Sequence, residues 1–121
     1  MFIDANAALG PWPFAPLTER TAPQLVAHLK THGVNRALVS HLGAVFLPEP
    51  MPANRALFAA IRRTPALLPV PVINPALATW REHLSTCCAA APIRAVKIIP
   101  AYHNYSLRHP ALTPFVAAVN A

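Results

Sequence analysis

Apolar positions along this chain fall into short runs of two kinds, and the two kinds alternate. Phe2–Leu9 is a compact run closed by Gly10, and it predicts a strand that empties into a Pro- and Trp-rich loop, Pro11–Pro16. Thr21 stands where a helix N-cap belongs. Behind it, Leu25, Val26 and Leu29 recur at helical spacing and predict a helix over Ala22–His32, with Gly33 as its C′ residue. Arg36–Ser40 predicts a second strand and His41–Pro50 its loop. Pro52–Thr64 predicts a second helix, with Ala56, Leu57, Ala60 and Ile61 on one face. Leu67–Asn74, bounded by Pro75, predicts the third strand and Ala78–Ala90 the third helix. Ala95–Ile99 predicts the fourth strand, and Leu112–Val119 the start of a fourth helix.

Strand and helix thus alternate four times, with a repeat of about 30 residues, the length of a βα module. The strands are nearly continuous in apolar character, as expected of strands covered on both faces of a parallel sheet. Two architectures fit: an open doubly wound sheet, or the first four units of an eight-stranded barrel. The first loop, LGPWPFAP, has nothing of the glycine-rich phosphate cradle, so dinucleotide binding is disfavoured.

Composition adjusts this picture in a few places. The 121 residues suffice for one domain, and they are 55% hydrophobic but only 12% charged. Soluble chains average about 25% charged, so the excess of apolar residues predicts surface that expects a partner, or a fold cut short. No apolar run approaches the roughly 18 residues of a membrane span. The N-terminus carries Asp4 and no early basic cluster, unlike a signal peptide, so the expected location is cytoplasmic. The formal charge of +6 is scattered, with Arg62–Arg63 the only adjacent basic pair, and a nucleic-acid partner is not expected. Cys87 and Cys88 match no zinc or redox spacing and read as buried free thiols. The fifteen prolines punctuate element ends rather than forming a linker.

The stretch richest in candidate chemistry is Arg94–Tyr105, RAVKIIPAYHNY. Lys97 sits in the middle of an apolar strand, where an ammonium is costly unless it is paired, modified or facing a cavity. Lys97 and His103 are the catalytic candidates. Lys97 either binds an anionic substrate or snorkels to the rim; His103 is either a general acid/base or an ordinary loop histidine. Tyr102 and Tyr105 are candidates for orienting a substrate or for packing under the loop. His41, just past the second strand, either points into the same mouth as a substrate-binding candidate or is an exposed loop residue, and Trp12, with Phe14, in the first loop is a candidate for a pocket wall that binds substrate. His28, His32 and His83 lie on helical patterns and read as structural or solvated, as does Trp80. His109 reads as a turn residue, and Asn54 and Asn74 as capping or turn residues.

Taken in order, FIDANAALG, GPWPF, HGVNRALVSHLGAV, VPVINP and AVKIIPAYHNYSL resemble the amidohydrolase-related metal-dependent hydrolases of the amidohydrolase 2 type. The resemblance runs along nearly the whole chain. It implies a distorted TIM barrel of which this chain, residues 1–121, is the N-terminal half, since such a barrel needs around 250 residues. It implies hydrolysis or decarboxylation of a small carboxylated or amide-bearing molecule, with a divalent metal, zinc, as cofactor. The family's first strand carries Asp-x-His-x-His-x-Gly with both histidines on metal. Here the matching stretch is Asp4-Ala5-Asn6-Ala7-Ala8-Leu9-Gly10. Asp4 and Asn6 lie on the metal strand, but Asn6 and Ala8 replace the two histidines, and neither is a good zinc ligand. Asn6 is therefore a substrate-binding candidate. Lys97 falls on the strand where some relatives in the wider superfamily carry a carbamylated lysine. The alternative is a degenerate, metal-free relative that acts as a binding or assembly module through open sheet edges. If the chain is complete, a homo-oligomer is expected.

Overall fold

The structure is a computed structural model and describes residues 1–17 and 21–121. Three strands, β1 (Phe2–Leu9), β2 (Val34–His41) and β3 (Leu67–Pro69), form a parallel sheet in the order β1-β2-β3. Between β1 and β2 runs α1 (Ala22–Thr31). Its start follows from a capping box: the Thr21 hydroxyl accepts from Gln24 N–H at 3.3 Å, and Thr21 N–H donates to the Gln24 side chain at 3.1 Å. Its end follows from Gly33, whose φ of +72° suits glycine. Between β2 and β3 lie a four-residue helix, α2 (Gly43–Phe46), and α3 (Met51–Ile61). After β3 come α4 (Trp80–Ala90) and α5 (Leu112–Val119).

One face of the sheet is packed dry. Ala7 and Leu9 of β1, Ala37 and Val39 of β2 and Leu67 of β3 meet Leu25 and Leu29 of α1 and Leu57 and Ile61 of α3. Strand alternation then sends Asn6, Ala8, Leu38, Ser40 and Leu68 to the opposite face. A second core joins α3, α4 and α5 through Met51, Ile73, Trp80, Cys87 and Phe115, with the Trp80 and Phe115 rings edge-on at 5.4 Å. Between the two cores, Val70–Pro75 is buried without interruption.

The expected third and fourth strands, Leu67–Asn74 and Ala95–Ile99, are much reduced. β3 stops at Pro69, and the fourth segment is held by one parallel bridge between Val72 and Lys97. That bridge consists of Lys97 N–H to the Pro71 carbonyl (2.9 Å) and Ile73 N–H to the Lys97 carbonyl (3.0 Å). The cause is proline. Val70 N–H points at β2, to the Val39 carbonyl at 2.8 Å, so positions 69 and 71 face the fourth segment, and both lack the N–H a ladder needs.

On the other side of Val72 there is no strand either. Asn54 of α3 takes its place: its amide nitrogen donates to the Val72 carbonyl at 2.8 Å, and its amide oxygen accepts from Val72 N–H at 2.9 Å. Asn54 is therefore a fully buried brace rather than a cap. Asn74 does make the expected turn, accepting from Ala76 N–H. The loop His41–Pro50 contains α2, and the second and third helices are shorter than Pro52–Thr64 and Ala78–Ala90 predict at one end or the other. Cys87 is buried but Cys88 is exposed, because neighbours on a helix point about 100° apart and only the Cys87 side of α4 faces the core.

Among the described residues β1 pairs only with β2, which leaves its outer edge open. Phe2 and Ile3 on that strand are 71% and 53% exposed. No helix among the described residues is long and apolar enough to cross a membrane.

Candidate functional site

Lys97 is the point where the strands converge. Its ammonium donates to the Asn6 side-chain oxygen of β1 at 2.6 Å and to the Ser40 hydroxyl of β2 at 3.0 Å. The bridge to Val72 fixes its backbone, so residues from four segments define one locus on the sheet face away from α1 and α3. Burial pulls the Lys97 pKa below its ordinary range. Both partners are neutral, and no carboxylate pairs with this ammonium among the described residues. An ammonium has three donors, so one remains for a ligand.

Asn6 reaches Lys97 because β1 is bulged. Asp4 pairs with Ala37 and Ala7 with Val39, so three steps of β1 run beside two of β2. The Asp4 carboxylate accepts from Asn6 N–H at 2.8 Å and holds the extra residue in place. The bulge flips the alternation, placing Asn6 opposite Asp4's side of the sheet. Asn6 is a candidate from the sequence, whereas Ser40 is not. A small polar residue two places from Leu38, in an otherwise apolar strand, was the available signal.

His41 ends β2 and is clamped. A methyl group on Gly10 would lie 2.7 Å from its ring, and one on Gly43 3.0 Å. Two of the chain's three glycines thus make room for this imidazole. Gly43 N–H donates to His41 Nδ1 at 3.0 Å, so the neutral ring carries its proton on Nε2. Burial lowers its pKa from 6.5.

His103 is 7% exposed, and its Nε2–H donates to the Ala44 carbonyl at 2.8 Å. It ties the loop after Lys97 to α2. That loop is wound by His103 N–H to the Ile99 carbonyl and by Tyr105 N–H to the Pro100 carbonyl, with Asn104 at a φ of +59°. The Tyr105 hydroxyl is buried, which pushes its pKa up to about 12. Neither His103 nor Tyr105 hydrogen-bonds to Lys97.

Above the Lys97 locus, three loops contribute an aromatic rim. Trp12 and Phe14 follow β1, Phe46 follows β2, and Tyr102 follows Lys97. Phe46 is the hub, 5.3 Å from Trp12, 5.8 Å from Phe14 and 5.7 Å from Tyr102. Trp12 and Phe14 are the wall residues the sequence suggests and Tyr102 is a candidate for orienting a substrate, whereas Phe46, in the loop expected over His41–Pro50, carries no such signal. The remaining histidines stay apart from the site. His28 and His32 stack on α1, His83 lies 3.7 Å from Glu49, and His109 Nδ1 accepts from Ala111 N–H in a turn.

These donors do not suit a divalent metal. Ala8 has no ligand atom, and the Asn6 oxygen is engaged by a cation, which would repel a second one. No group of three or more His, Cys, Asp or Glu among the described residues is arranged to hold a metal ion. The partners of Lys97 are both able to accept hydrogen bonds, which suits a free ammonium rather than a carbamate.

No family model and no curated protein matches the chain. Its fold is similar to that of a solved structure, a probable 2-pyrone-4,6-dicarboxylic acid hydrolase from Acinetobacter baumannii with citric acid bound. The two share 19% identity at a TM-score of 0.61, over 98% of this chain and 45% of that one. At this identity the likeness is one of fold: a parallel α/β arrangement that spans less than half the length of the chain it matches.

Proposed function

We propose that this chain forms the first half of an amidohydrolase-type barrel, and that the hydrolase it belongs to acts on a small carboxylated molecule anchored by Lys97. The observation that carries this reading is the ammonium at the C-terminal side of the sheet, which has two neutral partners, one spare donor and no counter-charge among the described residues. A substrate carboxylate would supply the missing charge and restore Lys97's tendency to stay protonated. The rim of Trp12, Phe46 and Tyr102 would cover the substrate's apolar part and thin the water around the ion pair. His41, as the Nε2–H tautomer, is a donor and not a base. His103, with Nε2 committed to Ala44, acts in this reading by holding the loop. The group that activates water would come from the other half of the barrel.

The fold likeness to a hydrolase supports the reaction class, and the ordered resemblance of the sequence supports the family. The test is calorimetric titration with a series of mono-, di- and tricarboxylates. Saturable binding that Lys97→Met weakens at least about tenfold, the worth of one charge-assisted contact, supports the reading. Equal binding by wild type and Lys97→Met refutes it.

A second reading, a metal-free binding module, is favoured by Asn6 and Ala8. Under it, Asn6→His with Ala8→His brings neither stoichiometric zinc nor hydrolysis of esters and amides. Zinc uptake with new activity would overturn it.

A further inference from the structure

A cavity of about 480 Å³ among the described residues lies away from the Lys97 locus. It lies at the opposite end of the strands. Arg36, which lines it, precedes Ser40 by four residues of β2, about 13 Å at the rise of a parallel strand. The cavity exists for the same reason that the fourth strand is reduced. Between Leu67–Pro69 and Ala90–Pro92 no ladder closes the gap, because proline at 69 offers no N–H to the neighbouring segment. Phe58, Ile61, Leu67 and Leu68 supply apolar walls, and Arg36 and Arg62 supply two guanidinium groups. No acidic residue lines it, and neither arginine makes a side-chain ion pair or hydrogen bond among the described residues. Arg62 is the C-cap of α3, where the helix dipole favours a cation. Arg36 is the third residue of β2 and has no such reason to be there. Arg63, the next residue after Arg62, adds a further positive charge just beyond α3.

We infer that this cavity is a binding site for a small organic anion with a flat apolar body, a carboxylate held between Arg36 and Arg62 with its rings against Phe58 and Leu68. The volume falls within the range of small-molecule pockets, roughly 300–1,000 Å³. Guanidinium groups bind carboxylates through two parallel hydrogen bonds, and the absence of competing acids leaves both free to do so. Apolar walls select against small inorganic anions, which gain nothing from them. The site is separate from the Lys97 locus and stands whether or not the hydrolase reading does.

The experiment is titration of the isotope-labelled chain with 2-naphthoate, followed by amide chemical shifts, with the uncharged 2-naphthamide as the paired probe. Saturable shifts are expected at Ala59, Leu68 and Ala91, with naphthoate favoured over the amide by about tenfold, one charge-assisted contact. Arg36→Gln and Arg62→Gln should each remove most of that preference. Both side chains are exposed, so the variants should fold, as an unchanged amide spectrum would show. Lys97→Met should leave these shifts as they are. Equal affinity for the two probes, or shifts confined to residues near Lys97 and abolished by Lys97→Met, would overturn the inference. The absence of saturable shifts at Ala59, Leu68 and Ala91 up to millimolar naphthoate would do the same.

Discussion

Replacing Asn54 with leucine tests how the third and fourth segments are held. Asn54 is fully buried, and its amide satisfies both backbone groups of Val72, at 2.8 and 2.9 Å. Leucine has nearly the same volume and neither hydrogen bond, so the substitution orphans a buried N–H and a buried C=O. Each orphan costs about 1–3 kcal/mol, together about 2–6 kcal/mol. The added apolar burial returns about 1 kcal/mol. A net loss of about 1–5 kcal/mol is expected, a large share of the roughly 5–15 kcal/mol that stabilises a typical domain. Urea unfolding reads this as a lower midpoint at unchanged slope. Val72 also bridges to Lys97, so carboxylate affinity at Lys97 should fall together with stability. Asn54→Asp gives an independent check. It keeps the acceptor for Val72 N–H but sets a buried carboxylate against the Val72 carbonyl. Burial raises that carboxyl's pKa, so the variant's stability should be greatest in acid and be lost as pH rises through the raised value. A loss below about 1 kcal/mol for Asn54→Leu, with carboxylate affinity unchanged, would refute the reasoning.

Three further outcomes follow from the same geometry. Gly10→Ala forces a methyl group to 2.7 Å from the His41 ring at a φ of +102°, whereas Gly33→Ala meets nothing within 4 Å at a φ of +72°; thermal denaturation should show the first clearly more destabilising than the second, which carries only the left-handed cost of about 1–2 kcal/mol. His41 has a folded pKa below its ordinary 6.5, so the unfolded chain binds a proton first, and stability should be lost as pH falls from that value toward the folded one. That acid limb should be missing in His41→Asn, and its persistence there would rule His41 out as the cause. Cys88 is exposed while the Cys87 thiol is buried and pushed up to about 11, so a thiol reagent should modify one cysteine quickly and the second only on unfolding.

The legible parts of the fold are those set by neighbours in sequence. β1 has the predicted bounds, Phe2–Leu9, because a compact apolar run closed by glycine leaves little choice. The start of α1 was readable in Thr21 and its end in Gly33. α5 also falls on Leu112–Val119 as predicted. The third and fourth strands failed because prolines at 69 and 71 act on a partner that is distant in sequence. Whether a missing N–H matters depends on which side of the strand it faces. Cys88 failed for a simpler reason: consecutive helical positions point about 100° apart, and only the Cys87 side of α4 faces the core.

The candidate site divides in the same way. Lys97 stood out in the sequence as a charge in an apolar strand, and Asn6 stood out by its place on the first strand. Their contact, separated by 91 positions, required a bulge held by Asp4 that no local pattern announces. Ser40 and Phe46 gain their meaning from what reaches them across the fold, Lys97 in one case and a ring cluster in the other. Asn54 looked like a cap because caps are local and braces are not. The sequence alone determined the alternation of elements, the parallel α/β class and the identity of the unusual charge. Those follow from periodicity, turn chemistry and the cost of burying an ion. Tertiary structure decided what surrounds that charge, which histidines are clamped and where the cavity opens. These depend on the register between strands and on which backbone groups find partners, properties that exist only once distant segments meet.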